Sequence, residues 1–273
     1  MDAPGISLVL PAYNEAAVIA RAVREAHDAL AEHFERFEVL VVDDGSSDDT
    51  AAVTRRAIET APNARLVRHD ANRGYGAALR TGFEAARFEL VAFTDADCQF
   101  DLADLAPLAH LAREVPVAVG YRADRKDPWK RRFLSWGYNV LARALLGTRV
   151  RDVDCALKVF RREALAQLLP NSKGFFVNTE MLTRARQLGF DVAERAVTHR
   201  PRAAGASKVS LREVPRTARA LLSFWWNEVA RGPKPTTAVV EAKLPVPERA
   251  PAPAPSNSRD LPVAPPARHR AAA

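Results

Sequence analysis

Only two cysteines occur in the 273 residues, Cys98 and Cys155. Their spacing matches no metal-ligand motif and nothing around them supports a disulfide framework, so each is expected to be a small buried or site-lining residue. No apolar run approaches the ~18–20 residues that a membrane span needs. The longest candidate, ALLSFWW near residue 220, is far too short. Met1 is followed by an acid and a proline and then directly by ISLVL, a start without the pattern of a secretory signal, so a cytoplasmic location is expected. The fingerprint G-x-G-x-x-G is missing after the first apolar run, and G-x-x-x-x-G-K-S/T is missing throughout. These absences argue against a dinucleotide-binding Rossmann enzyme and a Walker-type NTPase. DDGSSDDT fails as a calcium loop, because its glycine stands third rather than sixth and no Glu stands twelfth. A receiver domain would want its acid pair after the first strand, whereas here it follows the second. No helix-turn-helix, zinc or RNP-type motif is present, so no nucleic-acid partner is expected.

What is present begins with a hydrophobic fraction of 48%, ample for one sizeable α/β core. The formal net charge is +7, with a pI near 9.8. From Pro233 onward six basic residues face three acidic ones, so the tail contributes +3 and the body +4. A mildly basic body fits phosphorylated ligands or an anionic membrane surface. Ten of the nineteen prolines lie beyond Gly232, and residues 232–273 are expected to form a disordered, partly polyproline-II tail.

Apolar runs and helical periodicities alternate along the rest of the chain, which predicts an α/β fold with a mostly parallel sheet flanked by helices. Ile6 to Leu10 reads as a strand buried on both faces. It is followed by PAYNE and a helix that Asn14 can cap, with Glu15 in its first turn. FEVLVV leads into DDGSSDDT, where Gly45 permits a tight turn and Ser46, Ser47 and Asp48 are candidate caps for the next helix. ARLVR and VPVAVG read as further strands, and VRDVDCALKVF as another with Asp152 and Asp154 at its beginning. Two segments, 128–146 and 216–230, combine Arg and Lys with Trp and Phe, as interfacial helices do. In the first, Phe133, Trp136, Val140, Leu141 and Ala144 share near-helical spacing. In the second, Leu222, Trp225, Trp226 and Val229 are expected on one face. The alternative for both segments is an ordinary core or dimer contact.

The run ELVAF ends in two carboxylates, Asp95 and Asp97, with Gln99 two residues on. Open α/β sheets place ligands outside such strand ends. Two acids one residue apart there repel unless a cation or proton sits between them, and aspartate oxygens suit Mg²⁺ or Mn²⁺ completed by substrate phosphates. A polar turn capping the next helix is the alternative.

PAYNE, VVDDGSSDDT, NRGYGAA, DADCQ, Gly120-Tyr121-Arg122, DVDCALK, NTEML and RPRAAGASK occur in the order found in the GT-A family-two glycosyltransferases. The chain most resembles their polyprenyl-phosphate branch, the dolichyl-phosphate mannosyl- and glucosyltransferases, over roughly residues 5 to 230. The resemblance implies a GT-A domain over 1–215, an amphipathic interfacial helix over 216–231 and the tail over 232–273. It implies an inverting, metal-dependent transfer of a hexose from GDP-mannose or UDP-glucose to a polyprenyl or dolichyl phosphate. The protein would then sit peripherally on the cytoplasmic face of a membrane.

By the same resemblance Pro11, Tyr13, Glu15, Asp43, Asp44, Arg73, Asp95, Ala96 and Asp97 bind the nucleotide sugar, Asp44 having turn-shaping as its alternative. Gly74 and Gly76 would allow close backbone approach. Asp95, Asp97 and Gln99 would hold Mg²⁺ or Mn²⁺. Arg122, Arg131, Ser135, Arg202, Ser207 and Lys208 would bind the acceptor phosphate. Asp95, Asp97 and Asp154 form the catalytic set. A hydroxyl acceptor would need a base, for which Asp152 or Asp154 is the candidate, whereas a lipid phosphate would not. A non-catalytic nucleotide-sugar binder is the alternative from outside enzymology. Two departures stand out: Ala156-Leu157 replaces the Gly-Phe common in relatives, and the proline-rich tail stands where many relatives carry membrane spans.

Overall fold

Seven consecutive buried residues, Ile6–Ala12, form β1 in the interior of the sheet. In this computed structural model the described residues are 3–124, 129–148, 150–201 and 213–230, with side chains for all of these except 129–135 and 213–218. β1 is apolar on both faces apart from Ser7, as a strand must be when helices cover both sides of a parallel sheet. β2 (Phe37–Asp43), β3 (Ala64–Arg68), β4 (Leu90–Phe93), β5 (Val117–Arg122), β6 (Lys158–Arg161) and β7 (Val192–Val197) complete a sheet of order β3-β2-β1-β4-β6-β5-β7. All pairings are parallel except the two made by β6. The mostly parallel α/β sheet expected from the sequence is therefore present. The strand predicted over 150–160 is not: only Lys158–Arg161 pairs, antiparallel between β4 and β5, and Asp152 and Asp154 lie in the preceding loop.

The helices are α1 (Ile19–His33), α2 (Thr50–Ile58), α3 (Tyr75–Ala85), α4 (Leu105–Leu111), α5 (Trp129–Leu146), α6 (Arg162–Leu168), α7 (Val177–Gln187) and α8 (Glu213–Phe224). α1 shows the rule they follow: Ile19, Ala22, Val23, Ala26 and Leu30 recur at helical spacing and are all buried. Asn14 does not cap it. Asn14 sits at φ 51°, and its Oδ1 accepts from the Ser47 backbone N–H at 2.9 Å, tying the β1 loop to the β2 loop. Asp48 does act near the start of α2, accepting from the Thr50 N–H at 2.9 Å.

One apolar cluster joins the sheet to its helices, and a smaller one, Ala142, Leu146, Phe176 and Leu221, lies where α5 meets α8. Here the expected apolar faces are turned. Trp136 (62% exposed), Val140 and Leu141 on α5 face outward, as do Leu222 and Trp226. Trp225 and Val229 pack inward, so the four residues predicted on one face of the last helix divide between two, where the chain passes from α8 into a π-helical turn, Trp225–Ala230. Among the described residues no helix is long and apolar enough to cross a membrane. Residues 232–273, Arg202, Ser207 and Lys208, and the side chains of Arg131, Phe133 and Ser135 lie outside the described set.

Candidate functional site

The strand order reverses direction between β1 and β4, which opens a crevice at their carboxyl ends. Val9 pairs with Phe93, and β1 runs on through Leu10, Pro11 and Ala12 past the end of β4. Buried Pro11 and half-buried Tyr13 and Glu15 therefore border the turn that carries Asp95, Ala96 and Asp97. The Glu15 N–H is held by Thr50 Oγ1 at 2.8 Å, so the two βα loops are stitched together before any ligand arrives.

Asp43 ends β2 with its side chain fully buried. Its Oδ1 accepts from the Ser46 N–H at 3.0 Å. Its Oδ2 faces Arg68 Nε at 3.1 Å without an aligned hydrogen bond. A buried carboxylate oxygen so placed retains an acceptor site for a base or ribose donor. Asp44 is different. It accepts from His69 Nδ1 at 2.7 Å and from the N–H groups of Arg73 and Gly74 at 2.9 and 2.8 Å. Those bonds make Asp44 the anchor of the Arg73–Gly74 loop, while the Arg73 side chain stays exposed.

Gly74 and Gly76 do permit a close backbone approach, but to the 172–173 segment. A Cβ on Gly76 would stand 1.9 Å from the Ser172 carbonyl oxygen, and Gly74, at φ +99°, would meet that of Lys173 at 2.5 Å. Between them Tyr75 donates from its hydroxyl to Asp95 Oδ1 at 2.8 Å. Burial and then the charges of Asp95, Asp97 and Asp154 hold this phenol protonated well above its usual range. Acids from two motifs, DADCQ and DVDCALK, thus act on one hydroxyl, Asp95 through a direct hydrogen bond and Asp97 and Asp154 through their charge. Tyr75 lies inside the NRGYGAA motif, but there the flanking glycines advertise the backbone and leave the side chain unmarked.

The Asp97 Oδ1 accepts from the Gln99 N–H at 3.2 Å. The Gln99 side-chain nitrogen makes a long 3.4 Å contact to the Arg200 carbonyl, and its Oε1 is an amide oxygen of the kind a hard cation takes. No group of three His, Cys, Asp or Glu side chains with metal-binding geometry occurs among the described residues. Two carboxylates and an amide oxygen fit a hard divalent cation that takes its remaining ligands from phosphate oxygens. Cys98, at φ 57°, completes the turn; burial pushes its thiol up to about 11.

The segment after β7 is clamped onto this turn. The Arg200 N–H donates to the Gln99 carbonyl at 2.7 Å, and Arg200 pairs with Asp101 at 2.8 Å. The basic stretch Arg202–Lys208 begins two residues beyond that clamp.

Arg122 departs from expectation. Its Nε and Nη2 grip Asp152 at 2.7 and 2.9 Å, and both side chains are buried. Burial alone would lower the guanidinium's pKa, but the Asp152 bonds and charge more than offset it and raise it. The fork expected on the acceptor phosphate is held by Asp152, where it fixes the 150–157 loop. Lys158 braces the same loop from below: its buried Nζ donates to the carbonyls of Val153 (3.1 Å) and Cys155 and to Asn178 Oδ1 (3.0 Å). Burial lowers its pKa, opposed by neighbouring acids. In the sequence Lys158 is only one member of the DVDCALK motif; no alternation signal marks a lone lysine inside an apolar run as buried.

Residues 7–169 match the model of glycosyl transferase family 2. The chain is 36% identical over 239 residues to glycosyltransferase AglD of Haloferax volcanii, covering 83% of this chain and 38% of that protein. It is 32% identical over 226 residues to the dodecaprenyl-phosphate galacturonate synthase of Rhizobium johnstonii, covering 80% and 65% respectively. It is 34% identical over 210 residues to the undecaprenyl-phosphate 4-deoxy-4-formamido-L-arabinose transferase of Sodalis glossinidius, covering 76% and 63%. The chain thus spans less than two thirds of the length of each of these relatives. In fold it is similar to glucosyl-3-phosphoglycerate synthase of Mycobacterium tuberculosis, solved with Mn²⁺, UDP and glucosyl-3-phosphoglycerate, at a TM-score of 0.61 and 23% identity over 81% of this chain and 78% of that one. With its GT-A sheet and the family motifs in order at the strand ends, this chain belongs to glycosyl transferase family 2.

Proposed function

We propose that the chain transfers a hexose, with inversion, from GDP-mannose or UDP-glucose to a polyprenyl or dolichyl phosphate at the cytoplasmic face of a membrane. Residues 1–215 would form the transferase domain, 216–231 an interfacial helix and 232–273 an appended tail. The observation that carries this reading is the gathering of Asp43, Asp95 and Asp97 at the carboxyl ends of β2 and β4, beside the reversal of strand order. Two of the relatives are named for sugar transfer to dodecaprenyl or undecaprenyl phosphate, which favours the same acceptor class here.

On the donor side Pro11, Tyr13 and Glu15 line the nucleoside pocket and Asp43 accepts from the base or ribose. Asp44 acts through the Arg73 loop, which it holds in place. Mg²⁺ or Mn²⁺, held by Asp95, Asp97 and Gln99, would neutralise charge on the departing nucleoside diphosphate. Ala96, buried between the two acids, keeps the turn small enough for the diphosphate to approach.

On the acceptor side a lipid monophosphate already carries negative oxygens near neutral pH, with a second pKa of about 6 by analogy with phosphoamino acids. It needs orientation and charge balance rather than a base. With Arg122 committed to Asp152, that work falls to Arg131, Ser135, Arg202, Ser207 and Lys208. The outward Trp136, Val140, Leu141, Leu222 and Trp226, with exposed Arg143 and Arg219, suit a surface that rests on anionic lipid.

The test is turnover of UDP-glucose and GDP-mannose with a short polyprenyl phosphate and either metal, read by mass spectrometry. A hexosyl-phospholipid product is expected; no transfer from a broad donor panel by folded protein would sink the reading. Asp154 is half-buried and close enough to act on Tyr75 and Tyr138, so it remains the base candidate for a hydroxyl acceptor. Loss of transfer in Asp154→Asn with hydroxyl acceptors, but not with phosphate ones, would favour that second acceptor class.

A further inference from the structure

We infer that Tyr75 is a positioning residue of the donor site, fixing the Asp95 carboxylate for the metal–diphosphate; this rests on the donor-site role proposed for Asp95. The contact itself is a direct phenol-to-carboxylate hydrogen bond of 2.8 Å. What distinguishes it from an incidental bond is how firmly the donor is held. Tyr75 is the first residue of α3, and the Gly76 N–H donates to the Lys173 carbonyl at 2.9 Å. That carbonyl belongs to a loop seated by buried Glu180, which accepts from the N–H groups of Asn171 and Ser172 at 2.9 and 2.8 Å and pairs with Arg184 at 3.0 Å. From the other side the Tyr75 ring packs on Phe175, with centroids 5.3 Å apart.

A carboxylate on a short side chain rotates about χ2 with little resistance. A rigidly mounted donor on Oδ1 removes most of that freedom before ligand binds, so the ordering cost does not weaken metal affinity. The hydroxyl also offsets part of the repulsion that Asp97 and Asp154 exert on Asp95. Neither effect requires Tyr75 to touch substrate. Its removal should therefore weaken metal binding and leave the chemical step nearly intact once metal saturates.

The decisive variant is Tyr75→Phe, which keeps the ring on Phe175 and deletes only the hydroxyl. Mn²⁺ binding by the full chain would be titrated by electron paramagnetic resonance in the presence of UDP and, separately, GDP. About tenfold weaker Mn²⁺ binding is expected with an unchanged melting temperature, a raised apparent metal constant in the transfer assay, and kcat within twofold at saturating metal. Phe175→Ala, which retains the hydroxyl but loosens its seat, should fall between the two. Mn²⁺ binding by Tyr75→Phe within threefold of wild type would overturn the role. Failure of the wild-type chain to bind Mn²⁺ with either nucleotide would overturn the donor-site reading itself, and the role of Tyr75 with it.

Discussion

The two ends of the central sheet use similar polar residues for opposite purposes. At the amino ends of the strands buried Glu38 is closed on every side. Its Oε1 accepts from Ser7 Oγ at 2.7 Å and the Arg87 N–H at 2.8 Å, and its Oε2 from Arg65 Nε at 2.8 Å. At the carboxyl ends Asp95 accepts from the Tyr75 hydroxyl at 2.8 Å, and the charges of Asp97 and Asp154 act on the same phenol. A fully satisfied buried network rigidifies the fold it sits in, whereas converging like charges cost folding energy that a bound cation relieves. On the proposed function, the contrast separates residues that serve the fold from residues that serve a ligand, although all of them are acids near buried strand ends.

The strongest way to break this contrast is Asp97→Asn. The amide oxygen can still accept from the Gln99 N–H, so the turn survives while one charge is removed. Transfer should fall by about 10³-fold or more, in the range seen when a charge-stabilising group is deleted. The melting temperature should not fall, since relief of repulsion offsets any lost packing. A variant that loses stability along with activity would show that the carboxyl end is as structural as the amino end.

Lys158→Met comes next and lies between the two regimes. The ammonium is fully buried on three oxygens behind the Asp152–Asp154 loop. Methionine fills the space but leaves those acceptors without a donor, at roughly 3 kcal/mol of stability measured by urea unfolding. Activity should drop with it, because the loop carrying Asp154 loses its brace. Full activity at reduced stability would instead place Lys158 wholly with the fold.

How far the sequence reveals this division depends on the range of each interaction. Strand runs such as ISLVL and FEVLVV are local signals, and the structure has strands at both. The acids at strand ends are equally legible, because a carboxylate that closes an apolar run sits where the sheet meets its crevice. Arg122 is illegible for the opposite reason: a basic residue closing β5 resembles a phosphate ligand, and only the fold reveals that Asp152, thirty residues on, takes its fork. β6 is shorter than its apolar run suggests, because only Lys158, Val159 and Phe160 of VRDVDCALKVF pair, followed by Arg161, and they carry no boundary signal of their own. The Trp136 and Trp226 faces show the limit of periodicity. It identifies an apolar stripe but not whether protein or solvent meets it.

The thiols offer a milder sharpening. Burial pushes Cys98 and Cys155 to about 11, so the native protein at pH 8 should hold about a thousandth of each as thiolate. Alkylation by iodoacetamide should run about a hundredfold slower than in urea, and rise about tenfold per pH unit until the raised values are approached. Reaction of Cys98 at the unfolded rate would mean that the Asp95–Gln99 turn opens readily, against its clamp to Arg200.

Glu38→Gln is the smallest expected effect and the cleanest mirror of Asp97→Asn. Both exchange a buried carboxylate for its amide, and both leave an oxygen able to accept. At Glu38 the amide's new N–H₂ must face either Arg65 or the Ser7–Arg87 side, where donors already stand, so one favourable contact becomes a clash of donors. Arg65 is 27% exposed and can turn toward water, which limits the loss to about 2 kcal/mol rather than the larger cost of a wholly buried pair. No element of the donor crevice moves in this account, so kcat and the metal constant should stay within twofold of wild type while the urea midpoint falls. If kcat fell as far as stability, the amino end of the sheet would be coupled to the crevice through β1 and β2, and the separation between the two ends would fail at its simplest point.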